Sequence, residues 1–80
     1  MKPNMIVDTR GLFCPMPVIK TSEALKKLDP GSVVEVISDD PAIELDMPAW
    51  CDSQGHIIKS VTKVSGVVKF LVQKREESSK

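Results

Sequence analysis

The sequence predicts an α+β fold: a two-layer sandwich in which both helices cover one face of a mixed four-stranded sheet, in the order β-α-β-α-β-β. Three observations carry this. Two stretches with helical spacing of apolar residues alternate with short apolar, largely β-branched runs. Each helical stretch ends in a stop signal, Asp29-Pro30-Gly31 for the first and Gly55 for the second. The C-terminal third holds two further apolar runs separated only by Ser65-Gly66, which reads as a tight hairpin. Strand-helix-strand crossovers are right-handed, so both helices fall on one face if the sheet grows in one direction.

Met5-Ile6-Val7, ending at Asp8, is the first strand, and Gly11 lets the loop after it turn tightly. A helix is expected from Pro15 to about Leu28, with Val18, Thr21, Leu25 and Leu28 on one face, Ala24 beside them, and Lys20, Glu23, Lys26 and Lys27 opposite. Val33 to Ile37 is the clearest strand. Asp40 then caps a second helix with Pro41 at its first position, running to about Gln54. Ile43, Met47 and Trp50 share a face, and Pro48 predicts a kink or two short segments. Ile57–Val64 and Val67–Gln73 are the last strands, with a bulge expected near the adjacent Ile57 and Ile58. The 80 residues make a single domain with an ordered core at about 5–74, and the charged segment from Lys74 to Lys80 is expected to fray.

Composition narrows the function. Eleven basic and eleven acidic side chains balance, which argues against a general nucleic-acid binder. No apolar run approaches the ~20 residues of a membrane span and no secretory signal pattern is present, so the expected location is cytoplasmic, with no membrane partner. Two cysteines and one histidine are too few for an ordinary protein-only zinc site, and no metal or organic cofactor is expected.

The stretch that calls for chemistry is Thr9-Arg10-Gly11-Leu12-Phe13-Cys14-Pro15-Met16-Pro17. Two prolines so close together fit where a helix begins, because first-turn N–H groups have no internal partner. Cys14 then falls at the N-cap, normally a place for Ser, Thr, Asp or Asn. A lone cysteine is ordinarily a buried small hydrophobe; this position favours a functional Cys14. Helix N-termini favour anions, and thiolates there can have pKa values as low as ~3.5–7.5. Pro15 and Pro17 lack N–H, leaving Met16 and Val18 as the expected donors near the sulfur. Arg10 adds positive potential, while Asp39 and Asp40, predicted on the same rim, oppose ionisation and are candidates for selecting a partner.

Leu12, Phe13, Met16 and Ile19 are candidates for a partner-docking patch, although loop packing accounts for Leu12 and Phe13 about as well. Cys51, about ten residues along the second helix, reads as structural, out of reach of a disulfide with Cys14. His56 is expected at the far edge, which leaves Cys14 without a dyad partner.

The whole set, Asp8, Arg10-Gly11-Leu12, Cys14-Pro15-Met16-Pro17, Pro30-Gly31, Asp39-Asp40-Pro41-Ala42, Asp46-Met47-Pro48, Trp50-Cys51 and Gly55-His56, resembles the TusA/SirA family of small sulfur-carrier proteins. The resemblance runs from about Met5 to Lys74. It implies that Cys14 accepts a sulfane sulfur as a persulfide and passes it on. It also implies a donor protein of the cysteine desulfurase or rhodanese type, and acceptor relays in tRNA thiolation, molybdenum-cofactor or sulfur-oxidation pathways. Met16 stands where some members of the tRNA branch carry an acidic residue. Two rivals remain from the residues: an RNA- or protein-binding module using Lys59, Lys63 and Lys69 as a basic stripe, and a redox regulator with Cys14 as sensor. Scarce aromatics and the absence of tyrosine weaken the RNA reading.

Overall fold

The computed structural model describes residues 3–13 and 15–75. The elements are β1 (Met5–Asp8), α1 (Met16–Lys26), β2 (Val33–Ser38), α2 (Ile43–Gln54), β3 (Ile57–Val64) and β4 (Val67–Gln73). The sheet order is β1-β2-β4-β3. β1 runs parallel to β2, and β4 lies antiparallel between β2 and β3. Both crossovers step the same way across the sheet, which puts α1 and α2 on one face.

Alternation along the strands decides what that face buries. Val34 and Val36 of β2 oppose Val72 and Phe70 of β4, and all four are buried. They form one core with Ala24 and Leu25 of α1 and Ile43, Met47 and Cys51 of α2. The i, i+4 spacing of those α2 residues is the stripe a helix needs to seat on a sheet, with Trp50 half-buried at its border. Full burial of a side chain such as Phe70 or Met47 stabilises by about 1.5–3 kcal/mol. The other sheet face has no helix and carries Glu35, Ile37, Lys69 and Leu71.

Both helices begin later than the sequence suggests. In α1 Pro15 occupies the cap and Pro17 the second helical position; Cys14, expected at the cap, lies outside the described residues. A proline fits either of the first helical positions, where its missing N–H costs nothing, and the Pro-x-Pro spacing is compatible with both registers. At the other end the helix closes at Lys26, and the amides of Lys27 and Leu28 tighten onto the carbonyls of Ala24 and Leu25 at 3.1 Å each. In α2 the cap is Ala42 and not Asp40. The Asp40 carboxylate accepts the Ala42 N–H at 3.1 Å, an Asx turn that holds Pro41 and Ala42 just outside the helix. Pro48 lies within one continuous helix and does not divide it.

The hairpin is as expected: Ser65 and Gly66 both have positive φ, 51° and 80°, the type I′ geometry whose twist matches the strands. The bulge falls between Ile58 and Ser60, one step beyond the Ile57-Ile58 pair. Lys74 and Arg75 are not frayed. The Lys74 amide donates to Ser32 O at 2.7 Å, its Nζ to Leu28 O at 2.7 Å, and the Arg75 amide to His56 Nδ1 at 3.1 Å. The rest of the tail, 76–80, lies outside the described residues. Among the described residues no helix is long and apolar enough to cross a membrane.

Candidate functional site

β1 and β2 are parallel, so the loops that leave them, towards α1 and α2, share one rim. The β1–α1 loop is fastened there amide by amide. Thr9 is buried, and both its N–H and its Oγ1 donate to Ile37 O at 2.7 Å. The Arg10 N–H goes to Asp8 Oδ1 at 3.1 Å, Gly11 N–H to Asp39 Oδ1 at 3.1 Å, and Leu12 N–H to Thr9 O at 3.1 Å. Gly11 has φ +85°, which only glycine adopts without strain. The sequence points to Asp39 as a partner-selecting charge; the structure gives it a second task, as the acceptor that ties this loop to the end of β2.

Arg10 and Asp8 face each other through two contacts, Nε to Oδ1 at 3.0 Å and Nη2 to Oδ2 at 2.7 Å. The guanidinium and its backbone N–H hold the Asp8 carboxyl down at about 2, and the Asp8 carboxylate raises Arg10 in turn. Arg10 therefore spends most of its charge on Asp8 and is a weaker source of positive potential than its place in the sequence suggests.

Cys14 lies outside the described residues; its neighbours are described. Phe13, Pro15 and Met16 are exposed, Phe13 to 74%, and Ile19 follows one turn after Met16, also exposed. Phe13 is thus not packed into the loop, whereas Leu12 is half-buried. Pro17 is buried, Val18 is half-buried against the core, and the Thr21 hydroxyl donates to Pro17 O at 2.8 Å. The Met16 N–H, expected to face the sulfur, donates instead to Phe13 O at 2.8 Å. Asp40 serves the start of α2 through Ala42 and through its carbonyl, which accepts the Ile43 N–H at 3.1 Å.

The remaining candidates sit elsewhere. Cys51 is a free, buried thiol in the core, and burial pushes its pKa up to about 11. His56 follows α2 at the end opposite this rim, about 18 Å along the helix axis from Ile43, with its ring 5.1 Å from that of Trp50. Lys63 and Lys69 of the C-terminal hairpin do not share a face. Lys63 pairs with Glu44 of α2 at 2.9 Å on the helix side, and Lys69 reaches Glu35 at 4.0 Å across the open sheet face. Sequence reasoning overlooked Thr9. Its signal was local: a hydroxyl directly after a strand, where the chain leaves the sheet and needs an anchor.

Fold and rim together define a small α+β domain whose first crossover loop presents a Cys-Pro-x-Pro motif beside exposed apolar side chains. The chain belongs to the TusA family: the family model described as sulfurtransferase TusA matches residues 5–74. YrkI of Bacillus subtilis is 36% identical over 74 residues, covering 92% of this chain and 99% of that protein. The sulfur carrier protein TusA of Pseudomonas putida F1 is 29% identical over 75 residues, 94% of each chain. A relative from Aquifex aeolicus is 37% identical over 78 residues, yet this chain spans only 40% of it. Among solved structures, the SirA-like protein of Desulfitobacterium hafniense superimposes with a TM-score of 0.78 at 27% identity, over 90% of this chain and 99% of its own.

Proposed function

We propose that this protein is a cytoplasmic sulfur carrier that holds sulfane sulfur as a persulfide on Cys14 and hands it to a partner protein. The observation that carries the reading is the contrast between the two cysteines' surroundings: the residues on either side of Cys14 are exposed on a fastened rim, while Cys51 is sealed in the core. Loading is a thiol exchange. The Cys14 thiolate attacks the terminal sulfur of a donor persulfide; an S–S bond forms at Cys14, the donor's S–S bond breaks, and the donor cysteine leaves as thiolate. Delivery is the same exchange with the acceptor thiolate attacking and Cys14 leaving. No net oxidation occurs and no cofactor takes part. Phe13, Met16 and Ile19, with Leu12 behind them, supply the apolar contact for donor and acceptor, and Asp39 and Asp40 border it. Pro15, Pro17 and Val18 set the start of α1 behind the motif, and Arg10 and Gly11 shape the loop before it.

The test is mass spectrometry after incubation with glutathione persulfide or with a cysteine desulfurase and cysteine. One added sulfur (~32 Da) is expected on the wild type and on Cys51→Ser, and none on Cys14→Ser. Sulfur retained by Cys14→Ser and lost from Cys51→Ser would overturn the assignment. A protein that forms a sulfenic acid with peroxide but takes no sulfur from either donor would be the redox sensor instead.

A further inference from the structure

At the end of the molecule away from the Cys-Pro-x-Pro rim, the last turns of α1 and α2 and the chain after β4 enclose a cleft of about 210 Å³. Among the described residues its charge is one-sided. Lys26, Lys74 and Arg75 line it together with His56, and no carboxylate among the described residues does. The three cations are absent from the ion pairs of the described residues, which join Asp8 to Arg10, Glu44 to Lys63 and Glu35 to Lys69. Two of them are held in place by neutral acceptors: Lys74 Nζ by Leu28 O at 2.7 Å and Arg75 Nη1 by Gln54 O at 3.1 Å. Those carbonyls orient the cations and stabilise the helix ends without cancelling the formal charges. Burial and the charges of Arg75 and Lys74 together lower the pKa of His56, as a locally positive field requires. Leu25 and Trp50 supply the apolar part of the lining.

We propose that this cleft binds a small phosphate-bearing molecule, its phosphate against Lys26, Lys74 and Arg75 and its apolar or planar part against Trp50. Guanidinium and ammonium groups fixed by neutral acceptors suit phosphate oxygens. α1 separates the cleft from the sulfur rim by about 15 Å, so a small occupant does not reach Cys14's neighbours, and this site stands whether or not Cys14 carries sulfur.

Trp50 is the sole tryptophan, so its fluorescence reports occupancy directly. At constant ionic strength, adenosine 5′-monophosphate should change the emission saturably, inorganic pyrophosphate should compete with it, and adenosine should do neither. Lys26→Gln, a change on an exposed helix face, and Arg75→Gln should each weaken binding about tenfold or more, while Cys14→Ser should bind as the wild type does. No saturable change with either phosphate probe up to about 10 mM, the millimolar limit of weak specific binding, would overturn the proposal. So would an effect that sodium chloride reproduces, or affinities unchanged in both charge variants.

Discussion

The two cysteines should differ in native alkylation rate by more than a hundredfold. Cys51 is 2% exposed, and burial pushes its pKa to about 11. At about pH 7.5 this leaves roughly one molecule in 3,000 as the reactive thiolate, against about one in ten for an accessible thiol of ordinary pKa ~8.5. Ionisation alone therefore slows Cys51 about 300-fold. Access slows it further, because the thiol is packed among Ile43, Met47 and the sheet. If it reacts only on unfolding, a stability of about 5 kcal/mol exposes it in roughly one molecule in 5,000. The assay is iodoacetamide labelling followed by mass spectrometry. One label should enter quickly under native conditions, at Cys14, and the second only in concentrated guanidinium. Cys14→Ser should label slowly in the native state, at a rate that rises with denaturant. Native labelling of Cys51 within about tenfold of Cys14 would refute the core assignment and reopen the choice of sulfur-bearing residue.

Other outcomes follow from single contacts. Gly55 ends α2 at φ +81°, and an added Cβ would stand 3.4 Å from Arg75 Cδ; Gly55→Ala should cost about 1 kcal/mol in urea denaturation, mostly from the left-handed backbone. An unchanged midpoint would show that this turn is not held left-handed in solution. Asp8 is lowered from 3.8 to about 2 by Arg10, so the stability it contributes is complete above its unfolded value and is lost as pH falls from near 3.8 towards 2. Asp8→Asn should lower neutral stability by a small amount, as expected of an exposed pair, and remove the matching part of the acid limb. His56 is lowered from 6.5; the unfolded chain takes the proton first, so stability is full above about 6.5 and declines as pH falls through that value. His56→Gln should flatten melting temperature between about pH 7.5 and 5. Asp39→Ala removes the acceptor of the Gly11 N–H and should lower stability by no more than about 1–2 kcal/mol while slowing persulfide transfer. Transfer at the wild-type rate would mean that the loop keeps its shape without this tie.

What the sequence made legible was whatever one physical cause determines. β-Branched runs at Val33–Ile37 and Val67–Gln73 have no competing reading, and Ser65-Gly66 leaves room for only one turn geometry. Less legible were sites where two causes give the same pattern. Pro15 and Pro17 satisfy the first turn of α1 in either register, and the register is marked only by backbone bonds that the spacing does not show: Met16 N–H to Phe13 O and Ile19 N–H to Pro15 O. Lys74 and Arg75 belong by composition to a solvated tail. They are ordered because Leu28 O and Gln54 O, at or just beyond the ends of the two helices, accept hydrogen bonds from their side chains. That demand arises in one part of the chain and is met far along it, so no local window shows it.

What the rim can offer a partner depends on which of its polar groups are already engaged within the protein. Arg10 is neutralised by Asp8, Asp39 is engaged by Gly11, and the amides of residues 9–12 all have partners within the protein. Apart from the formal charges of Asp39 and Asp40, little of the polar chemistry around the β1–α1 loop is left to attract another molecule. The groups offered outward are the side chains of Phe13, Met16 and Ile19, exposed to 74%, 37% and 41%. Desolvating such side chains gives an attraction without long-range steering, little affected by ionic strength. A sulfur donor or acceptor that docks here should therefore lose affinity on Phe13→Ala far more than on raising salt from about 0.05 to 0.5 M, a change that screens charges beyond roughly a Debye length. A binding constant that collapses with salt and tolerates Phe13→Ala would place recognition on charged residues away from this rim.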